Sequence, residues 1–305
     1  MKIVISGATG FIGQALVRAL RSRGDQVVAL ARDVEKAQQT LGPEVEIAGW
    51  RPGQPGDWMA AFNGADGVVN LAGAPVADPL KPWTEQEQAL IRSSRIDSTR
   101  SVVEAIRQAE PRPRVLVNAS AVGYYGSQGD AILTESSPAG NGFLAEVVKD
   151  WEAAARPAEE SGVRLVLLRT GIVLGAGGGA LPALAMPFRM YAGGTMGEPG
   201  QWVPWIHLED EIGLMLYALD RDTLRGPINA GSPNPVTMDL FCRQIGQALH
   251  RPSWVPGYST LLKLALPKRK DAFLASDRMV PEAALAAGYE FRYTDSAAAL
   301  RAILG

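Results

Sequence analysis

Apolar residues in the first half of the chain fall into short runs separated by longer amphipathic stretches. Residues 2–6 (KIVIS) form a β-branched run that reads as a strand. Residues 11–24 follow with Ile12, Ala15, Leu16, Ala19 and Leu20 at helical spacing and Gly24 as a stop signal. Residues 26–31, 45–48 and 67–73 read as the second, third and fourth strands. A long helix is predicted over 84–108, where Ile91, Ile96, Val102, Val103 and Ile106 mark an apolar stripe. Residues 114–120 read as the fifth strand, 141–161 as mostly helix and 163–171 as the sixth strand. The strands are almost continuously apolar, as strands buried on both faces are. Strand and helix in alternation predict an α/β fold, a Rossmann-type doubly wound parallel sheet with helices on both sides. After Gly171 the pattern loosens. Glycine and proline crowd residues 175–204, an excursion of the kind that overhangs a site, before a helix over 208–220 and a strand at 227–230 return to the sheet. The expected organisation is a main domain over 1–235 and a small, helical C-terminal domain over 250–305.

Composition narrows the classes of function. The chain has 305 residues, of which 47% are hydrophobic and 20% charged, with a formal net charge of -2. Its densest basic cluster, Lys268-Arg269-Lys270, is short and reads as a solvated helix cap, so no nucleic-acid partner is expected. The single cysteine, Cys242, falls in a helical stretch over 237–249, where a buried small hydrophobe is expected rather than a nucleophile. With two histidines and one cysteine, no metal site is expected. No apolar run approaches the ~20 residues of a membrane helix. The chain opens on a strand rather than a charged segment followed by an apolar run, and the cytoplasm is the expected location.

The most informative local feature is SGATGFIG, residues 6–13, set between the first strand and the first helix. Gly7 permits a tight turn, Gly10 removes a side chain where a diphosphate approaches, and Gly13 lets helix and strand pack closely. The amides of the helix start, from Thr9 and Gly10 through Phe11 and Ile12, face an anion with unpaired N–H groups and a partial positive charge. This context, strand then glycine turn then helix, is the dinucleotide-binding fingerprint. The end of the second strand then selects the cofactor. Arg32 comes first and suits a 2′-phosphate, which favours NADP(H) over NAD(H). The alternative is that Arg32 is a solvated turn residue and Asp33 meets the adenosine ribose, as in NAD-binding proteins.

With these residues in hand, the chain resembles the extended short-chain dehydrogenase/reductase superfamily of NAD-dependent epimerases and dehydratases, and within it the YfcH-type epimerase family. The resemblance runs almost end to end through SGATGFIG at Ser6, NLAG at Asn70, SAVGYYG at Ser120, LLRTGIVLG at Leu167 and WIHLED at Trp205, with a C-terminal domain of unassigned role. It implies that Asn70, Leu71, Ala72 and Gly73 line the cofactor beside the nicotinamide ribose. Small residues at the end of a strand also leave room for a ligand in the crevice beyond it. The helices at 84–108 and 141–161 are the pair that related proteins use to form a homodimer.

The superfamily's chemistry uses a Ser or Thr after the fifth strand, then a Tyr and a Lys four apart on the following helix. Ser120 matches the first position. Phe143 and Val147 stand at the other two, and neither side chain ionises. Lys149 lies two residues on, about 200° around the helix, and with Asp150 and Glu152 is expected to form a solvated face. Tyr124 and Tyr125 are the available substitutes, as proton donors or as packing at the sheet edge. Three further residues are expected on the substrate side. Trp205 would supply a pocket wall, His207 either a catalytic imidazole or a structural one, and Arg169 either an anion contact or an internal ion-pair partner. Arg95 on the long helix is a further cation of that kind. The sequence thus predicts an NADP(H)-binding epimerase or oxidoreductase for a small, unidentified substrate. The alternative is a protein that kept the cofactor fold and lost the chemistry, serving as a sensor or interaction partner.

Overall fold

The computed structural model describes residues 1–76, 83–255 and 275–305. The basic triplet at 268–270 lies outside the described residues. A seven-stranded, all-parallel sheet forms the centre. Its strands are β1 (Lys2–Ser6), β2 (Gln26–Ala31), β3 (Glu46–Gly49), β4 (Gly67–Asn70), β5 (Val115–Ala121), β7 (Arg164–Thr170) and β11 (Gly226–Ala230), in the spatial order β11-β7-β5-β4-β1-β2-β3. The expected doubly wound α/β sheet is therefore what the chain forms.

Alternation along the strands explains how both faces are covered. Ile3, Ile5, Val27 and Ala29 point to one core, with Leu16 and Leu20 of α1 (Phe11–Ser22) and Leu214 and Ala218 of α7 (Leu208–Asp220). Val4, Val28 and Leu30 point to the other. There they meet Val102 and Ile106 of α3 (Glu85–Gln108), Ala155 at the end of α4 (Phe143–Ala155), and Ala158 of α5 (Pro157–Glu160). Side-chain caps fix several helix starts. Asp33 accepts from the Lys36 amide at 3.0 Å to open α2 (Val34–Leu41), and Thr84 accepts from Glu87 at 3.2 Å to open α3.

The remaining elements lie outside the central sheet. Short pairs join β8 (Ile172–Leu174) to β10 (Trp205–His207), β9 (Trp202–Val203) to β12 (Val236–Thr237), and β6 (Ile132–Leu133) to β13 (Arg278–Met279). The excursion over 175–204 is not wholly irregular, since it contains α6 (Leu181–Arg189) with Pro187 inside it. Below it, α8 (Met238–Ala248) packs Phe241, Ile245 and the buried Cys242 against Phe188 of α6 and Leu300 of α10 (Ser296–Leu304). A short α9 (Glu282–Ala286) precedes α10. Asp210 ties this C-terminal segment to α7, accepting from the amides of Arg292 at 2.7 Å and Tyr293 at 2.9 Å. Among the described residues, no helix is long and apolar enough to cross a membrane.

Candidate functional site

Strands β1 and β4 are neighbours, with Ser6 opposite Asn70, yet the chain leaves β1 toward one face and β4 toward the other. A sheet that reverses winding in this way opens a crevice beyond the strand ends. Here the crevice is a cleft of about 890 Å³. Its walls are the first glycine turn, the residues after β2, the loop after β4 and the adjacent edge of α3.

Each glycine of the turn has its own geometric reason. Gly7 has φ +71°, and a Cβ there would lie 2.8 Å from the Leu71 carbonyl group. A Cβ on Gly13 would lie 2.3 Å from the Gly7 carbonyl oxygen, so α1 touches the turn only because that atom is missing. Gly10 is the N-cap of α1, and its Cβ position meets nothing but the Gly7 oxygen at 3.2 Å. No side chain caps α1, and the amides of Phe11, Ile12 and Gly13 find no hydrogen-bond partner among the described residues. That helix end leaves three donors without a bond inside the fold, just past Thr9 and Gly10 on the cleft wall.

At the other end of the cleft, Arg32, Asp33 and Lys36 follow β2. Asp33 is engaged as the cap of α2, whereas Arg32 and Lys36 are exposed and form no ion pair with any described residue. Lys36 went unnoticed in the sequence, although its place three residues after a capping Asp is a readable signal. Thr9, Leu71, Ala72 and Gly73 line the cleft. Asn70 does not. Its buried side chain donates to Thr99 and Asn118 and accepts from Ser6, locking β1, β4, β5 and α3 together beneath the cleft. The strand ends there, and only the residues after it reach the cavity. The Phe11 ring packs against the excursion at Gly175, Gly178 and Gly179, and Ile12 packs on the core of the α1 face, so neither side chain is a cleft-lining group.

The other expected site residues meet in a different place and with a different character. Glu152, expected on a solvated face, is 3% exposed, while Lys149 of the same helix is exposed. Its carboxylate receives Arg169 as a two-pronged fork, Nε to Oε1 at 2.8 Å and Nη2 to Oε2 at 3.0 Å. Ser120 donates to the same Oε1 at 2.7 Å. Arg169 therefore does not face the ligand crevice, and Ser120 has its hydroxyl committed inside the fold. The reason is rotational: Glu152 stands one position past Trp151 on the side of α4 that meets β5 and β7, where an unpaired carboxylate would be costly and a guanidinium satisfies both oxygens. Burial alone would lower the Arg169 guanidinium, but the hydrogen bonds and charge of Glu152 outweigh it and hold the group above its ordinary value.

Tyr125 is also removed from the substrate side. It is fully buried, donates to Asn229 Oδ1 at 2.6 Å and accepts from Arg169 Nη1 at 3.0 Å. Burial pushes its phenol up to about 12, with Arg169 partly opposing. Tyr124, on the single turn that follows β5, differs. Its ring lies under the Arg169 guanidinium at 3.5 Å, and its hydroxyl has no partner among the described residues.

Trp205 is not the expected pocket wall, and His207 takes the structural one of its two expected roles. Trp205 is fully buried, donates to the Asn234 carbonyl at 3.1 Å and packs among Phe241, Met238 and Val203, so it forms core rather than a pocket wall. His207 is the N-cap of α7. Its Nδ1 accepts from the Glu209 amide at 3.1 Å, and its ring stacks on Tyr293 at 3.8 Å. Burial lowers its basicity, against the pull of Glu209 and Asp210, which suits a neutral imidazole that accepts a hydrogen bond.

Comparison with known proteins agrees with this architecture. Residues 3–231 match the family described as "NAD dependent epimerase/dehydratase family", and residues 259–303 match a domain of unknown function, DUF1731. The epimerase family protein SDR39U1 homolog, chloroplastic, of Arabidopsis thaliana is 40% identical over 306 residues, covering 100% of this chain and 87% of that protein. Epimerase family protein YfhF of Bacillus subtilis is 34% identical, covering 100% of this chain and 98% of its own length. A crystal structure of human epimerase family protein SDR39U1 (isoform 2) with NADPH superposes with a TM-score of 0.89 at 33% identity, covering 100% and 99% of the two chains. A match of this extent, carried by the sheet order and the glycine turn, makes the chain a member of the NAD dependent epimerase/dehydratase family.

Proposed function

We propose that this chain is an NADP(H)-binding protein of the epimerase and oxidoreductase kind, acting on a small-molecule substrate in the cytoplasm. One observation carries the reading. Thr9 and Gly10 of the cleft wall lead into a helix end with unpaired amides, and Arg32 and Lys36 stand on the same wall without an ion pair among the described residues. A diphosphate fits the first feature, since the amides of Phe11, Ile12 and Gly13 donate to it and Gly10 gives it a path free of side chains. The 2′-phosphate of NADP(H) fits the second, received by the planar Arg32 guanidinium and the point charge of Lys36. Asp33 stands at the same rim with one carboxylate oxygen engaged by the Lys36 amide. The NADPH in the human relative supports the same choice.

Such a cofactor, when bound, gives or takes a hydride at a substrate carbon. The chain's own part is to hold the substrate and to move a proton at the oxygen on that carbon. Ser120 and Tyr125 have their hydroxyls committed, so we assign the proton to Tyr124, whose hydroxyl is free among the described residues. The test is NADPH oxidation screened across sugar nucleotides and small carbonyl compounds, with Tyr124→Phe alongside. Turnover that falls about 100-fold in the variant supports the assignment. Turnover that is unchanged removes Tyr124 from it.

A second reading has its own support. Phe143 and Val147 pack with Trp83 and Ile91 in an apolar cluster, and Glu152 closes off Ser120. A silent NADP(H)-binding sensor or interaction partner is consistent with that, and tight NADPH binding without turnover on any substrate of the screen favours it. Either reading accommodates a homodimer through α3 and α4, which sedimentation of the purified chain reads directly.

A further inference from the structure

Helix α6 is apolar on two sides, where a surface helix ordinarily keeps one side polar. Leu181, Ala185 and Phe188 belong to the core beneath it. Met186, and Met190 one turn on, are 51% and 71% exposed. Tyr191 follows at 57%, and Trp254 joins it from the end of the segment after α8 at 70%. The Trp254 indole donates to the Tyr191 carbonyl at 3.0 Å, and its backbone amide donates to the Gly193 carbonyl at 3.0 Å. Large apolar side chains thus project together from one face, which is uncommon on a surface that has no partner.

The backbone holds that arrangement at a cost. Among the described residues, Tyr191 and His250 are the two non-glycine residues with positive φ, at 59° and 54°. A left-handed backbone is uncommon for side chains of this size, and such positions gather where function demands them. One stands beside Met190, the other beside Arg251, at the two turns that form the face.

Charge separates this face from the rest of the chain. The whole sequence has 32 acidic residues against 30 Lys and Arg, yet residues 181–197 and 240–255 contain no Asp or Glu. Arg189 and Arg251 form no ion pair with any described residue, and the Arg251 guanidinium lies over the Tyr191 ring, 4.6 Å from its centroid. Asp239, at the start of α8, is taken by Arg243 at 2.8 Å and by the Thr195 hydroxyl at 3.0 Å. The face is therefore apolar at its centre and cationic beside it. A second copy suits it poorly, because two-fold pairing of the same face would set these arginines against like charge. A protein partner would need a recess shaped to each projecting side chain, whereas lipid yields around them.

We propose that this face docks on an anionic bilayer surface. Met186, Met190 and Trp254 enter the boundary between headgroups and acyl chains, with Tyr191 at headgroup level, and Arg189 and Arg251 meet the lipid anions. The inference goes beyond the cofactor reading and stands without it, since none of these residues lines the cleft.

The experiment sediments the full chain with sucrose-loaded vesicles of phosphatidylcholine, alone or mixed with phosphatidylserine. The chain should travel with the mixed vesicles far more than with phosphatidylcholine alone, and less as salt is raised. Joint replacement Met190→Ser and Trp254→Ser should weaken that binding at least tenfold. Arg189→Gln should weaken it by about fivefold, the worth of one cation at such a surface. NADPH affinity should be unchanged in both. A measurement on the wild-type chain guards against a variant that does not fold. Of the seven tryptophans only Trp254 is exposed, so mixed vesicles brominated on their acyl chains should quench part of the fluorescence. Mixed vesicles that carry down no chain overturn the proposal. So do equal binding to both vesicle types, a serine variant that binds as wild type does, or brominated lipid that quenches nothing. A chain that ignores vesicles but forms a dimer broken by Trp254→Ser assigns the face to a second copy, and overturns it too.

Discussion

The two polar regions beyond the sheet are built on opposite plans. Around the first glycine turn, donors are left open: three amides at the head of α1, with Arg32 and Lys36 at the rim, have no partner among the described residues. Around the ends of β5 and β7, Ser120, Glu152, Arg169, Tyr125 and Asn229 satisfy one another in a closed, buried chain of bonds. Open donors belong to a region whose partner arrives from outside. Closed ones hold a fold together. The residues at the position of the family's usual chemistry have taken on structural work, while the donors around the glycine turn stay outside the bonds among the described residues.

The sharpest way to break this contrast is to open the closed region. Glu152→Gln leaves the Arg169 charge buried and unpaired, and should cost about 3–5 kcal/mol in urea unfolding. Affinity for NADPH should stay within about twofold, because the cleft shares no bond with that cluster. Equal damage to both properties would merge the two regions into one.

Next in size is closing the open region. Gly13→Ala places a methyl 2.3 Å from the Gly7 oxygen, and α1 must move off the turn. Overpacking of this kind costs about 1–3 kcal/mol. It should also displace the amides that face the cleft and weaken NADPH at least tenfold by calorimetry, whereas Gly24→Ala, which meets no atom within 4 Å, should spare binding.

A subtler effect is expected at the rim. Arg32→Asp and Lys36→Glu should each weaken NADPH by about tenfold, the worth of a charged hydrogen bond, and leave NADH nearly unchanged. Equal losses for both cofactors would return the choice to Asp33.

The smallest effect concerns two carboxyl groups in neither region. Burial raises Glu211 from 4.5 to about 8, with a bond from Thr170 partly opposing, and raises Asp277 from 3.8 to about 7. Each group holds its proton in the folded chain over a range where the unfolded chain has released it. The native state then binds more protons, so stability present at pH 4 is lost as pH rises toward 8, by at most about 1.4 kcal/mol per pH unit for each group. Glu211→Gln should flatten the fall, measured as Tm against pH. A profile identical to wild type would mean that Glu211 is already ionised in the native protein.

How much of this was legible beforehand divides along the same line. The cofactor region is local in sequence. Strand, turn and helix are consecutive, and the reasons for Gly7 and Gly13 are contacts within a few residues or with the next strand, so spacing reveals them. The closed cluster is not local. Glu152 meets Ser120 across 32 positions and Arg169 across 17, and a carboxylate beside Lys149 and Asp150 reads as surface until β5 and β7 are set beside α4. Trp205, and with it the pocket expected around His207, misled for a related reason. An aromatic cluster near a histidine reads as a pocket, but the histidine's nearest need is the bare amide two residues on. Helix α2 escaped notice because only Val34, Ala37 and Leu41 mark its apolar side, and its signal lies in the Asp33 cap instead.

The central claim is that the unpaired amides at the head of α1, together with Arg32 and Lys36, form a site for NADP(H). Calorimetric titration of the ligand-free chain with NADPH and with NADH tests it most directly. The account predicts binding of both, with NADPH tighter by about tenfold or more. Absence of heat from either dinucleotide, in a chain shown to be folded, would contradict it.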